Sequence, residues 1–336
     1  MKVVIIGGCG HIGYALDGVI RNPKQIKLCA YSTGISGDMP DETARLLENE
    51  YHAVRFDNWQ NMLDSVKPDI AVIATRYDKN GVISLECLKR GINCFTEKAI
   101  AHSFEMLAEL KKAARENNVE IIGMHGMRYS PEFYAAWQQV QSGILGNIAM
   151  FYGRKSYFFG NRRPDFYRRR STFGGIIPWV ATHALDWFCW IGGNIESVFA
   201  AHTCKANFGY GECESAAVIS LRFSNGAVGT ISADFLKSKN SGFPNDDQLR
   251  IAGDKSVLEV KYGKATLTGH NNSPVELELE PEGDFFGDFC RQLAGTGKCR
   301  LTMNDSFQVT ELALTARQSA DCENNKLLNI HKTHPH

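Results

Sequence analysis

The chain opens on Val3-Val4-Ile5-Ile6 running straight into Gly7-Gly8-Cys9-Gly10-His11-Ile12-Gly13, and this start narrows the possible folds more than any other segment. A run of β-branched residues emptying into Gly8-x-Gly10-x-x-Gly13 reads as a strand, a tight turn and the N-terminus of a helix. That arrangement can hold a dinucleotide pyrophosphate. On this reading Gly8 permits the turn, Gly10 lets the backbone approach a phosphate, and Gly13 allows the helix to pack close to the strand. Exposed amide N–H groups and the helix dipole face the anion, with His11 and Ile12 beside the glycines. The competing reading is a glycine turn of purely structural use.

The segments that follow favour the dinucleotide. Strand patterns at residues 2–6, 26–31, 52–56, 69–74, 93–96 and 119–123 alternate with helical ones. One helix ends before Pro23, one lies between Asn58 and Val66, one stops at Gly91, and one starts after Ser103 as its N-cap. Such alternation builds right-handed βαβ units on a parallel sheet. Ligands of these sheets bind beyond the carboxyl ends of the strands, so residues 7–13, 32–38, 75–80 and 97–102 are expected to rim one crevice. Ser32, Thr33, Ala74, Thr75, Arg76, Asn80, Glu97 and Lys98 are therefore candidate cofactor contacts.

After Met124 the rhythm changes. A helix over about 131–142 and a strand near 148–157 lead into an Arg-rich loop, and several strand patterns between 196 and 280 are separated by turn signals such as Asn225-Gly226, a hairpin signature. Two terminal helices are expected, near 284–294 and 305–322. The expected fold is an α/β Rossmann domain over 1–123 and an α+β domain over 124–330 with an open, mainly antiparallel β-sheet. A tail of 331–336 follows. The length of 336 residues agrees with two domains of about 100 to 200 residues each.

Composition removes other classes. Lys plus Arg equals Asp plus Glu at 37 each, so no net charge draws the chain to nucleic acid or to an anionic membrane. No stretch approaches the roughly 18 apolar residues of a membrane span. The apolar run at the start is too short for a signal peptide, and a cytoplasmic location is expected. Ten cysteines are scattered without C-x-x-C or zinc-like Cys/His spacing, which reads as reduced, structural thiols and no metal site.

Two constellations carry chemistry. Thr96-Glu97-Lys98 follows the fifth strand, at the sheet edge where a nicotinamide would lie, and a partly desolvated lysine there can exchange a proton near neutrality. The plain alternative is a surface lysine at a strand end. Farther on, Pro178 suits the first turn of a helix that places His183 and Asp186 three residues apart on one face, with Trp179 one turn before His183. Thr182 and His183 are candidate substrate contacts, and a histidine titrates near working pH. Its plain alternative is a packed histidine bonded to Asp186.

VVIIGGCGHIG at the start, VIAT at 72–75, TEKA at 96–99, RYSP at 128–131 and the stretch from Gly174-Gly175 to His183 and Asp186 occur in order. Together they resemble the glucose-fructose oxidoreductase, inositol dehydrogenase and MocA family over nearly the whole chain. The resemblance implies an NAD(P)-dependent oxidoreductase of sugars, cyclitols or related carbonyl compounds, commonly a homodimer or homotetramer assembled through the open sheet. By position Lys98 corresponds to the family's E-K-P lysine and His183 to the histidine of its D-x-x-x-H motif, which makes both the catalytic candidates. Two departures stand out. Ala99 replaces the proline after the lysine, loosening the turn. Trp179 occupies the place of the acid-base aspartate of many members, where an indole cannot shuttle a proton. Either Lys98 and His183 manage without that carboxylate or a group such as Tyr157 or Asp165 enters the site, with Trp179 as an apolar or stacking wall.

The second strand ends in Ser32 and Thr33 rather than the acid that reads both ribose hydroxyls, which leaves NAD and NADP open, with Asp38 a late candidate. Arg154, Lys155, Arg162, Arg163, Arg168, Arg169 and Arg170 face only Asp165 in their run. Arg168 and its neighbours suggest an anionic group on substrate or cofactor; a solvated loop or subunit contact is the alternative. The leading expectation is hydride transfer between a nicotinamide and a sugar-like or cyclitol alcohol. The alternatives are a lyase or glycosidase that recycles tightly bound NAD, and a non-catalytic dinucleotide-binding regulatory protein.

Overall fold

The computed structural model describes residues 1–35, 39–160, 163–241, 246–322 and the backbone of 328–329. Asp38, Arg162 and the tail over 331–336 lie outside the described residues. Two compact units emerge, one of Met1–Gly126 with Asp284–Thr310 and the other of Met127–Gly283 with the chain from Glu311 onward.

In the first unit β1 (Lys2–Gly7), α1 (Gly13–Arg21), β2 (Lys27–Ser32), α2 (Asp41–Asn49), β3 (Val54–Phe56), α3 (Trp59–Val66), β4 (Ile70–Ala74), α4 (Tyr77–Lys89), β5 (Asn93–Thr96), α5 (Phe104–Asn117) and β6 (Ile121–Gly123) follow in turn. The six strands form a parallel sheet in the order β3-β2-β1-β4-β5-β6. β4 is buried along its whole length, as expected of a central parallel strand covered on both faces, and its unbroken apolar run follows from that. Asn58 and Ser103 cap α3 and α5 by accepting from Asn61 N at 2.8 Å and Met106 N at 3.2 Å.

The second unit carries α6 (Pro131–Gln141), β7 (Ile148–Ser156), α7 (Arg170–Phe173), a π turn over Ile177–Ala181, α8 (Thr182–Gly192) and the strands β8 (Ile195–Thr203), β9 (Ala216–Phe223), β10 (Val228–Asp234), β11 (Gln248–Gly253), β12 (Ser256–Lys261), β13 (Lys264–Gly269) and β14 (Val275–Glu276). With β15 (Leu328–Asn329) they make an open nine-stranded sheet, ordered β14-β13-β12-β11-β7-β10-β9-β8-β15. Among the described residues β7 and β10 run parallel and the other pairs of this sheet antiparallel. β9 alternates buried and exposed residues, the signature of a sheet covered on one face. Gly153 shows what covers it: a Cβ there would lie 2.9 Å from the Phe188 ring of α8.

α9 (Phe285–Leu293) and α10 (Met303–Asp321) follow. The sequence expectation placed everything after 124 in the second domain, yet residues 284–310 pack with the first unit. The cause is aromatic: Phe95 of β5 meets Phe285 and Phe286 at 4.9 Å and Phe289 at 6.0 Å between ring centroids. Phe286 also lies where a Cβ on Gly18 of α1 would be 2.7 Å away. Among the described residues no helix is long and apolar enough to cross a membrane.

Candidate functional site

The glycine turn differs from the expected division of labour. Gly7 and Gly10, not Gly8, adopt positive φ (+77° and +68°), and a Cβ on Gly7 would lie 2.5 Å from Ala74 O. A Cβ on Gly10 would collide with the Glu97 carboxylate, so a protein carboxylate, and not only an approaching phosphate, demands glycine there. Gly13 is exposed and a Cβ on it would meet nothing within 4 Å. It contributes no close helix packing; Gly18, one helical stretch later, does.

Glu97 organises this corner. Its Oε1 accepts the His11 amide and lies 2.8 Å from His11 Nδ1, and its Oε2 accepts the Lys98 amide at 3.1 Å. Burial by itself would push the carboxyl up; the charge and hydrogen bonds of His11 and the charge of Lys98 outweigh it and hold the group down at about 2. Lys98 is 1% exposed, not a surface lysine at a strand end. Its peptide bond to the buried Ala99 is cis.

Around the same sheet edge, Thr75 donates through its amide and Oγ1 to Asn80 Oδ1, at 3.0 and 2.7 Å. Ala74 O accepts the Cys9 amide at 2.8 Å, closing the turn onto β4. Arg76 is engaged by Asp78, Nε to Oδ1 at 2.7 Å. Thr33 is half-buried just past β2. Two buried polar atoms here, Ser32 Oγ and Asn80 Nδ2, find no partner among the described residues. They fit a polar ligand, as do the open space over Gly13 and a helix start at Ile12 without a side-chain cap. The residues present therefore suit a dinucleotide.

The second unit assembles the other candidates. His183 lies in the first turn of α8 and is 2% exposed. On the same helix Asp186 is gripped by Arg128 of the RYSP segment, Nη2 to Oδ1 at 2.7 Å and Nε at 3.1 Å, with both groups buried. The Tyr157 ring stands edge-on to the His183 ring, 6.5 Å between centroids. Behind Tyr157, buried Lys155 bonds Asp247 at 2.6 Å and lies 5.0 Å from the Tyr157 ring centre. Thr182 is buried.

Trp179 falls inside the π turn, which accommodates one more residue than an α turn, so it is not simply one α turn before His183. Phe166, Tyr167 and Phe173 surround it at 5.7 to 6.2 Å, and it is itself buried. Burial pushes the Tyr167 phenol up to about 12, although Arg163 and a hydrogen bond from Trp179 draw it down.

The arginine run is largely spoken for within its own unit. Arg154 pairs with Asp246 at 2.7 Å; Arg163 lies over the rings of Phe159, Tyr167 and Phe235. Arg168 lies over Tyr210 at 4.3 Å and bonds Asp165 and Gly209 O, and Arg170 meets Glu214 and Asp321. Asp165 is almost fully exposed. Sequence reasoning missed the Arg128–Asp186 and Lys155–Asp247 pairs. RYSP was visible as a motif, but nothing in the spacing tied Arg128 to residue 186 or Lys155 to residue 247.

Comparisons with known proteins agree with this architecture. Residues 1–148 match the model of the oxidoreductase family with an NAD-binding Rossmann fold, and 133–259 match the GFO/IDH/MocA C-terminal domain. A presumed oxidoreductase from Thermotoga maritima superposes with a TM-score of 0.91 at 36% identity, covering 98% of this chain and 100% of its own. Levoglucosan dehydrogenase, solved with NADH and levoglucosan, gives a TM-score of 0.83 at 18% identity over 98% and 99% of the two chains, a likeness of fold. A curated relative, the 2,7-anhydro-N-acetylneuraminate hydratase of Escherichia coli, is 19% identical over 67% of this chain and 59% of its own. The chain spans about half the length or less of the first curated relatives it matches, 41%, 51% and 35%. A six-stranded NAD-binding Rossmann sheet joined to an open, mostly antiparallel sheet places this chain in the GFO/IDH/MocA family of oxidoreductases.

Proposed function

We infer that this chain transfers a hydride between a nicotinamide and a CH–OH or C=O carbon of a sugar-like or cyclitol substrate, with Lys98 and His183 handling the hydroxyl proton. The observation that carries the reading is the burial of two proton-transfer groups, Lys98 at 1% and His183 at 2% exposure, at the family's motif positions. A lysine out of water at the end of β5 can polarise or deprotonate an alcohol, and an imidazole shares that proton. The nicotinamide, when bound, supplies the hydride acceptor or donor. Gly7, Gly10, Thr75, Asn80 and Ser32 shape the turn and sheet edge that would receive the dinucleotide, Thr75 and Asn80 holding each other in place. The β2 terminus at Ser32 and Thr33 carries no carboxylate to read the ribose or repel a 2′-phosphate, so both NAD and NADP belong in the assay.

The pairing of Arg154, Lys155 and Arg170 with acids favours an uncharged substrate over an anionic one. A homodimer or homotetramer acting in the cytoplasm completes the proposal. Its test is turnover with NAD and NADP over a panel of anhydrosugars, aldoses, cyclitols and sugar acids. Lys98→Met and His183→Ala should each lower turnover by about a hundredfold or more while NADH affinity changes little. Wild-type turnover in either variant sinks the assignment.

A second reading draws on the packing of Trp179 where an acid-base carboxylate would stand and on the hydratase name of the E. coli relative. There oxidation at one sugar carbon acidifies its neighbour, elimination or glycoside cleavage follows, and the hydride returns. Product formation without net change in nicotinamide absorbance would select it.

A further inference from the structure

We propose that His11 and Glu97 form a proton-linked clasp for the dinucleotide, in which arrival of the pyrophosphate draws a proton onto the pair. The inference goes beyond the hydride-transfer reading and rests only on its dinucleotide part.

Glu97 lies directly beneath the glycine turn, in the space that a side chain at Gly10 would need. Its two oxygens hold the turn through the His11 amide and hold the adjoining Lys98 amide. A carboxylate 1% exposed is thus built under a loop whose function is to receive an anion. Like charges in so dry a place repel strongly unless a cation stands between or beside them. His11 is the group placed to answer this. Its Nδ1 is 2.8 Å from Glu97 Oε1, its ring stacks on Tyr14 at 5.8 Å and 6°, and its side chain keeps 29% exposure, so solvent protons reach it.

Charged or titratable side chains near His11 include Glu97 and, beyond it, Lys98, with Tyr14 of α1 stacked on its ring and Cys9 in the same turn. Behind Tyr14 stand Phe285 of α9 and the backbone at Gly126. The sign follows from linkage: an added anion favours the protonated imidazole, so binding takes up protons and affinity falls as pH rises.

Calorimetric titration of NADH into the full chain, in two buffers of different ionisation enthalpy at one pH, reads the protons directly. NADH is preferred because the extra phosphate of NADPH titrates on its own. The expected result is net uptake of a fraction of a proton and an affinity that falls about three- to tenfold between pH 6 and 8. His11→Gln keeps a polar side chain at the position but cannot charge; its uptake should vanish and its affinity should become level across that range. Glu97→Gln should shrink the uptake, and if removing the buried charge costs the fold, the His11 variant carries the test alone. Should only NADPH bind, the difference between wild type and His11→Gln is the quantity read. Equal heats in both buffers for the wild type, or uptake that survives in His11→Gln, would overturn the clasp. Failure of the wild type to bind either dinucleotide would overturn the underlying reading as well, a result distinguishable from the other two.

Discussion

At position 179 the indole is a core residue as much as a missing catalyst. Replacing it by the family aspartate sets a carboxylate among Phe166, Tyr167 and Phe173, so Trp179→Asp is expected to lower stability by about 3–5 kcal/mol or more and to leave turnover no higher than wild type. Thermal melts alongside the substrate panel check both halves. Glu97 gives a second expectation. Its carboxyl sits at about 2 instead of 4.5 in the fold, so the stability it contributes is complete above about pH 4.5 and is lost as pH falls towards 2. Acid titration of wild type against Glu97→Gln should show the variant lacking that part of the acid destabilisation. Glu97 and Lys98 were legible in the sequence because a strand end has a known place in a parallel sheet. Trp179 was legible only as a departure: its identity showed what it could not do, while the aromatic shell that explains it comes from residues 166, 167 and 173, which pack around the π turn.

Elements divide the same way. β1, β4 and β5 could be read from apolar runs bounded by turns, and α3 and α5 from their capping residues, because those signals are local. The π turn before α8 carries no comparable signal, and the Arg128–Asp186 pair joins residues 58 apart in sequence. That pair should be among the least replaceable on α8. Arg128→Met takes the guanidinium away from a buried carboxylate and is expected to cost about 3–5 kcal/mol, measured by denaturant unfolding of wild type and variant. The glycine turn offers a sharper contrast. Gly10→Ala forces a side chain into Glu97 at a positive φ and should abolish NADH binding. Gly13→Ala meets open space and should leave the melting temperature at or slightly above wild type, reporting only on what the ligand needs there.

For the whole molecule, the open face of the nine-stranded sheet shows Val218 at 55%, Val228 at 47% and Met150 at 41% exposure, with Val228 and Met150 side by side in register. If copies assemble through this face, as the family resemblance implies, Val218→Glu with Val228→Glu should reduce the mass seen by light scattering to that of one chain while leaving the fold intact. Chain connectivity leads to a different expectation. Phe95 is buried by Phe285, Phe286 and Phe289, so the fragment 1–126 lacks part of its own core. It should melt far below a fusion of 1–126 to 284–310, as followed by circular dichroism. In the cell this has a temporal meaning. A ribosome must translate the entire stretch from Met127 to Gly283 before the helix that completes the nucleotide-binding half exists. During those seconds of synthesis the half that is encoded first waits without its aromatic cover, and the second unit waits longer still, for the chain beyond Glu311.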